Sequence, residues 1–253
     1  MFFKAKNLLT IVMPRESSYE RKARIAHQKH FLKIAGKDFQ KALGKVRRYT
    51  MLSRERLYDI YNSIGYIAAN KVPGAIVEIG CWGGGALGLS YWALRKNKLK
   101  REIYGYDTFE GHPRPSKKDI DIWGQSQIKR FKQHEKSKRG WAKITLPTVI
   151  KNLKNMQVDQ KHVKLVKGMV EISAKRICPQ KISLLRIDVD WYKPTLFALS
   201  KFYPKLSRGG VLIIDDFGHY RGCEKALRKY FKKRMPRYVH IDYSCIALIK
   251  SPD

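Results

Sequence analysis

Two stretches of the 253-residue chain gather acid in a form that could do chemistry: Asp188 and Asp190 in Arg186-Ile-Asp-Val-Asp-Trp-Tyr192, and Asp215-Asp216-Phe-Gly218 after an apolar run. Hard oxygen ligands grouped in this way suit Mg²⁺, because carboxylates so close repel unless a cation neutralises them. Pairing with arginine or lysine is the alternative in so basic a chain. A second constellation is Glu78-Ile-Gly80-Cys-Trp82-Gly-Gly84-Gly85, between an apolar run and a helical segment. Glycines there let backbone amides reach a ligand at a helix N-terminus, with tight strand-to-helix packing as the purely structural alternative. Trp82 occupies the place where a dinucleotide motif wants its middle glycine, and Glu78 would repel a pyrophosphate. NAD is thereby disfavoured. A cofactor with a cationic, phosphate-free end, such as S-adenosylmethionine, suits the motif. Asp107 closes the next apolar run in Tyr106-Asp-Thr108, the place where adenosine ribose hydroxyls find an acceptor.

These residues need a scaffold that brings strand ends together, and the apolar pattern supplies one. Residues 74–80, 102–107, 162–168, 182–188 and 210–216 are β-rich runs apolar on both faces, of the kind buried in parallel sheets. Helical candidates lie between them at 86–95, 145–156 and 194–206. Such alternation predicts an α/β fold with a doubly wound, mostly parallel Rossmann-like sheet. A basic helix over 222–234 and the runs 238–243 and 245–250 predict a C-terminal antiparallel hairpin at the sheet edge. The helix expected over 50–70 opens at Ser53 with Arg56 where a capping box wants an acid. Residues 1–48 are expected as a basic N-terminal helical extension with Ile25, Phe31, Leu32, Ile34, Phe39 and Leu43 on one face. Residues 49–253 then form the main domain, and the charged stretch 110–140 reads as a lid or insertion.

Lys and Arg total 53 against 21 Asp and Glu, a formal net charge of +32. A balance this basic rules out a neutral surface and demands an account of partners. Four scattered cysteines without a CxxC pair suggest neither a disulfide framework nor a zinc knuckle, and a reduced, cytoplasmic setting is expected. The apolar residues Phe2, Phe3, Leu8, Leu9, Ile11 and Val12 are too interrupted for a membrane span but suit peripheral contact with an anionic membrane surface. Basic residues interleaved with aromatics over Arg221–Arg237 leave an RNA methyltransferase or RNA-binding protein as the alternative.

The blocks Tyr49–Leu57, Val72–Gly85, Asp107–Gly111, Leu185–Tyr192 and Leu206–Gly218 together resemble the macrocin O-methyltransferase (TylF/MycF-like) family. The resemblance implies a class I methyltransferase fold and S-adenosylmethionine- and Mg²⁺-dependent methylation of a sugar hydroxyl. The acceptor it implies is a glycan or glycosylated small molecule, with an anionic or lipid-linked one suiting the charge, and assembly as a homo-oligomer is expected. Carried over by motif, Asp190, Asp215 and Asp216 would hold the metal. Glu78, Gly80, Trp82, Gly84, Gly85, Asp107 and Thr108 would hold the cofactor. Lys193 stands where the related catechol-type enzymes carry a catalytic lysine, and His134, with His112 behind it, is the candidate catalytic histidine. The family usually has Arg or Lys where Gly83 stands, Gly where Val189 stands, and Leu-Tyr-Glu-Ser-Thr where this chain has Trp191–Thr195, all on the substrate side.

Overall fold

The computed structural model describes residues 17–136 and 140–251. Its centre is a seven-stranded sheet made of β1 (Ala75–Ile79), β2 (Ile103–Asp107), β3 (Val163–Lys167), β4 (Ile182–Ile187), β5 (Leu206–Ile214), β6 (Val239–His240) and β7 (Ile246–Ile249). The order is β3-β2-β1-β4-β5-β7-β6. The first five pair in parallel, while β7 runs antiparallel to both β5 and β6, so the chain ends in the hairpin its two last apolar runs predict. Parallel strands flanked on both faces have no wet side. In agreement, all six residues of β4 are buried.

The described residues form eight α-helices: α1 (Ser18–Val46), α2 (Arg54–Ala69), α3 (Gly85–Lys96), α4 (Gln127–Glu135), α5 (Leu146–Asn155), α6 (Val170–Arg176), α7 (Tyr192–Phe202) and α8 (Arg221–Phe231). One face of the sheet packs on α1, α2, α3 and α5, and the other on α6, α7 and α8. On α8 the apolar residues Cys223, Ala226, Leu227 and Phe231 recur at helical spacing and are buried, leaving the cations outside. The strand order reverses between β1 and β4, which opens a crevice at their carboxyl ends.

Two details differ from the expectation. The apolar stripe of α1 is discontinuous: Phe39 and Leu43 are buried, Phe31 and Leu32 pack partly, but Ile25 and Ile34 are exposed. The cause is a break at Gly36, whose non-helical dihedrals rotate the first half away from the core face. Second, α6 and α4 form where no helix was expected, being only 7 and 9 residues long. The described part of the 110–140 stretch, expected as a lid or insertion, is anchored to the body. Asp119 is buried and accepts hydrogen bonds from Ser116 N and from Tyr192 N at 2.7 Å, capping the start of α7 from outside the helix. The apolar N-terminal residues up to Val12 lie outside the described residues. No described helix is long and apolar enough to cross a membrane.

Candidate active site

Five loops at the carboxyl ends of the strands enclose a cavity of about 410 Å³, within the range of small-molecule sites. Its floor is the turn after β1. Gly80 has φ +85, and a Cβ there would sit 1.8 Å from the Asp188 carbonyl oxygen, so only glycine allows the β1 and β4 ends to close up. Gly80 and Trp82 line the cavity. Gly84 and Gly85 do not: a Cβ on Gly85 would strike Tyr49 O and Thr50 at 2.7 Å. Gly83 is likewise pressed against Tyr49 O. The glycine run therefore serves both readings, ligand approach at its start and packing at its end.

Asp107, at the end of β2, holds that turn. Its Oδ2 accepts the amides of Cys81 and Trp82, both at 2.9 Å, and its Oδ1 accepts Phe109 N at 2.8 Å. Thr108 lines the cavity beside it and donates its hydroxyl proton to Gly111 O. Glu78 lies beneath the floor, fully buried, with Oε1 accepting from Arg186 Nη1 at 2.5 Å. Burial pushes its carboxyl up to about 7 despite that guanidinium.

The carboxylates converge as their positions at strand ends require. Asp188, Asp215 and Asp216 each offer an oxygen within 4.8 Å of the others. Asp190 joins them through its backbone N–H, donated to Asp216 Oδ2 at 3.1 Å. It is held at φ +58, a strained conformation for a non-glycine residue and one that recurs at functional sites. Two cations answer these acids. Arg186, 2 % exposed, bridges Glu78, Asp188 and Asp215, while Arg56 reaches Asp215 from α2 and also grips Asp242. Both alternatives for the acids are thus present in one cluster. Asp215 is paired with arginine, whereas among the described residues no Lys or Arg pairs with Asp190 or Asp216.

The imbalance is visible in the titration of Asp216. Burial first, then Asp190, Asp188 and Asp215, push its carboxyl well above the usual range. Asp215 is also raised by burial, with Arg186 and Arg56 opposing. Four aspartates and Glu78 around a single buried guanidinium, with Arg56 at the rim, leave excess negative charge in a nearly dry place. The donor set is all oxygen, as a hard divalent cation needs, so the residues fit Mg²⁺.

Of the candidate bases, neither Lys193 nor His134 lines the cavity. Lys193 is exposed in the first turn of α7, and His134 rests against Trp141 with ring centroids 4.9 Å apart. His112 does line it, with Nε2 3.4 Å from Asp190 Oδ2 and its ring between Trp141 and Trp191. Trp191, where the family usually has Leu, donates its indole N–H to Pro113 O and so ties the insertion to the carboxylate loop. Arg56 and Asp242 carry weight that the sequence reading missed. The available signal was an arginine standing where a helix start ordinarily has an acid.

A model of the macrocin-O-methyltransferase (TylF) family matches residues 4–250. Demethyldecarbamoylnovobiocin O-methyltransferase of Streptomyces niveus is 28 % identical over 186 residues, which cover 73 % of this chain and 68 % of that one. Mycinamicin III 3''-O-methyltransferase of Micromonospora griseorubida is 26 % identical over 183 residues, covering 72 % and 70 %. The solved structure of the O-methyltransferase NovP superposes with a TM-score of 0.71 at 26 % identity, over 80 % of this chain and 82 % of that one. Calicheamicin methyltransferase CalS11 shares the fold at 17 % identity, with a TM-score of 0.60.

Proposed function

The chain belongs to the macrocin-O-methyltransferase (TylF) family and is an O-methyltransferase, and we propose that it methylates a sugar hydroxyl using S-adenosylmethionine and Mg²⁺. The observation that carries this reading is the surplus of carboxylate at Asp190 and Asp216, in one cavity with the Gly80–Trp82 turn. The relatives named for acting on glycosylated natural products support the acceptor class. When bound, the cation would lower the pKa of an alcohol and the sulfonium would present an electrophilic methyl group.

The roles of this chain's residues follow from their places. Asp190, Asp215 and Asp216 would hold the cation, with Asp188 beside them. Asp107 keeps the floor turn in shape, and with Thr108 it faces the space where the adenosine would lie. Glu78 acts from beneath, through Arg186. His112, in the cavity wall and beside Asp190, is the base we assign, placed to take the hydroxyl proton as the methyl arrives. Trp141 and Trp191 hold its ring and keep water from that side. Holding both reactants in one small cavity supplies the orientation an in-line displacement needs.

Tritiated methyl transfer from S-adenosylmethionine to a panel of rhamnosides and other glycosides tests the reading. Transfer should require Mg²⁺, stop with EDTA, and fall by about 10²-fold or more in His112→Ala. Transfer that is indifferent to EDTA would remove the cation from the reading.

A further inference from the structure

The segment 49–57 and the start of α2 have no part in the chemistry above, yet α2 sends one side chain into the carboxylate cluster. Arg56 donates from Nε to Asp242 Oδ2 at 2.6 Å, from Nη2 to Asp242 Oδ1 at 3.0 Å and to Ser244 Oγ at 2.5 Å, and from Nη1 to Asp215 Oδ2. Asp242 and Ser244 belong to the β6–β7 turn, whose Tyr243 and Ser244 line the cavity. That turn is closed on itself, since Asp242 Oδ1 also accepts Ser244 N and Cys245 N. It is tied to the end of β5 as well. Ser244 Oγ donates to Asp215 O at 3.2 Å, and Gly218 N donates to Ser244 O at 3.1 Å.

Charge balance alone does not explain Arg56, although it pairs with Asp215 and Asp242. A guanidinium beside a cation site repels the cation, and Arg186 already answers the deeper acids. The planar fork does explain it: four acceptor oxygens on three residues, Asp215, Asp242 and Ser244, fit one rigid donor. We propose that Arg56 is a positioning residue that locks the Asp215 carboxylate and the cavity-lining turn 241–245 into one unit. This rests on the reading that Asp215 serves a divalent cation.

Mn²⁺ alone is the probe, titrated into the full chain and followed by the electron paramagnetic resonance of the free ion. S-adenosylhomocysteine affinity, measured by calorimetry, serves as the control for an intact fold. Arg56→Gln should weaken Mn²⁺ binding by about tenfold, the usual effect of removing a partner behind a ligand, and leave S-adenosylhomocysteine affinity unchanged. Arg56→Lys should stay weak, because it restores the charge without the fork. If Arg56→Gln does not fold, Ser244→Ala, which removes one hydroxyl, should shift Mn²⁺ affinity in the same direction. A Mn²⁺ affinity within about threefold of wild type, or tighter as simple charge removal would give, overturns the proposal. Wild-type protein that takes up no Mn²⁺ overturns the cation reading and this role with it, whereas uptake indifferent to Arg56 overturns this role alone.

Discussion

Asp59, on α2 outside the cavity, sets a pH dependence of folding that belongs to one residue. Burial pushes its carboxyl up to about 6, the Arg186 guanidinium opposes this, and Oδ2 has no hydrogen-bond partner. The folded state therefore holds the proton more tightly than the unfolded chain does. Stability from this group is fully present below the ordinary pKa of 3.8 and is lost as pH rises through about 6. Asp59→Asn should stabilise the protein by about 1–3 kcal/mol at pH 8 and by almost nothing at pH 4, checked by urea unfolding at both. An equal effect at the two values would contradict this. At the same scale, Asp190, Asp215 and Asp216 were readable because each lies within a few residues of an apolar run's end. Arg56 was not. Its partners Asp215 and Asp242 lie 159 and 186 residues along the chain, and no local pattern reports a pairing at that distance.

Among the elements, the β1–α3 turn is where sequence and geometry meet most tightly. Gly80 N donates to Tyr106 O at 2.7 Å and Asp188 N donates to Ile79 O at 2.8 Å, so neither neighbour can retreat without breaking the parallel ladder. Gly80→Ala should destabilise the fold by about 3 kcal/mol and weaken S-adenosylhomocysteine binding, measured by thermal unfolding and calorimetry. Gly124→Ala is the contrast. It has the same sign of φ but open space around it, and should cost about 1 kcal/mol with binding intact. Equal losses in the two variants would mean that dihedral strain alone is at work. The long elements were legible because β-rich runs and helical spacing alternate with little ambiguity, down to the terminal hairpin. The short α6, the break at Gly36 and the anchored insertion were not. A helix of seven residues carries too little periodicity, and the anchoring of Asp119 is a contact with the start of α7, not a property of its own segment.

Over the whole molecule, the acids are placed against the grain of the composition. The chain carries +32 overall, yet eight of its 21 acids, Glu78, Asp107, Glu171, Asp188, Asp190, Asp215, Asp216 and Asp242, sit in or around one crevice with two arginines. That makes a negative focus inside a positive body, the charge distribution that the proposed cation and sulfonium cofactor would need. The strand order places this focus where the sheet reverses, so fold and charge point to the same spot. Separate calorimetric titrations of S-adenosylmethionine and of Mg²⁺ into wild type, Asp107→Ala and Asp216→Asn test the central claim most directly. Micromolar binding to wild type should be weakened at least tenfold in Asp107→Ala and kept in Asp216→Asn, which alone should lose the heat of Mg²⁺ binding. No binding to wild type, or the same loss in both variants, would contradict the division of this cavity into a cofactor floor and a cation wall.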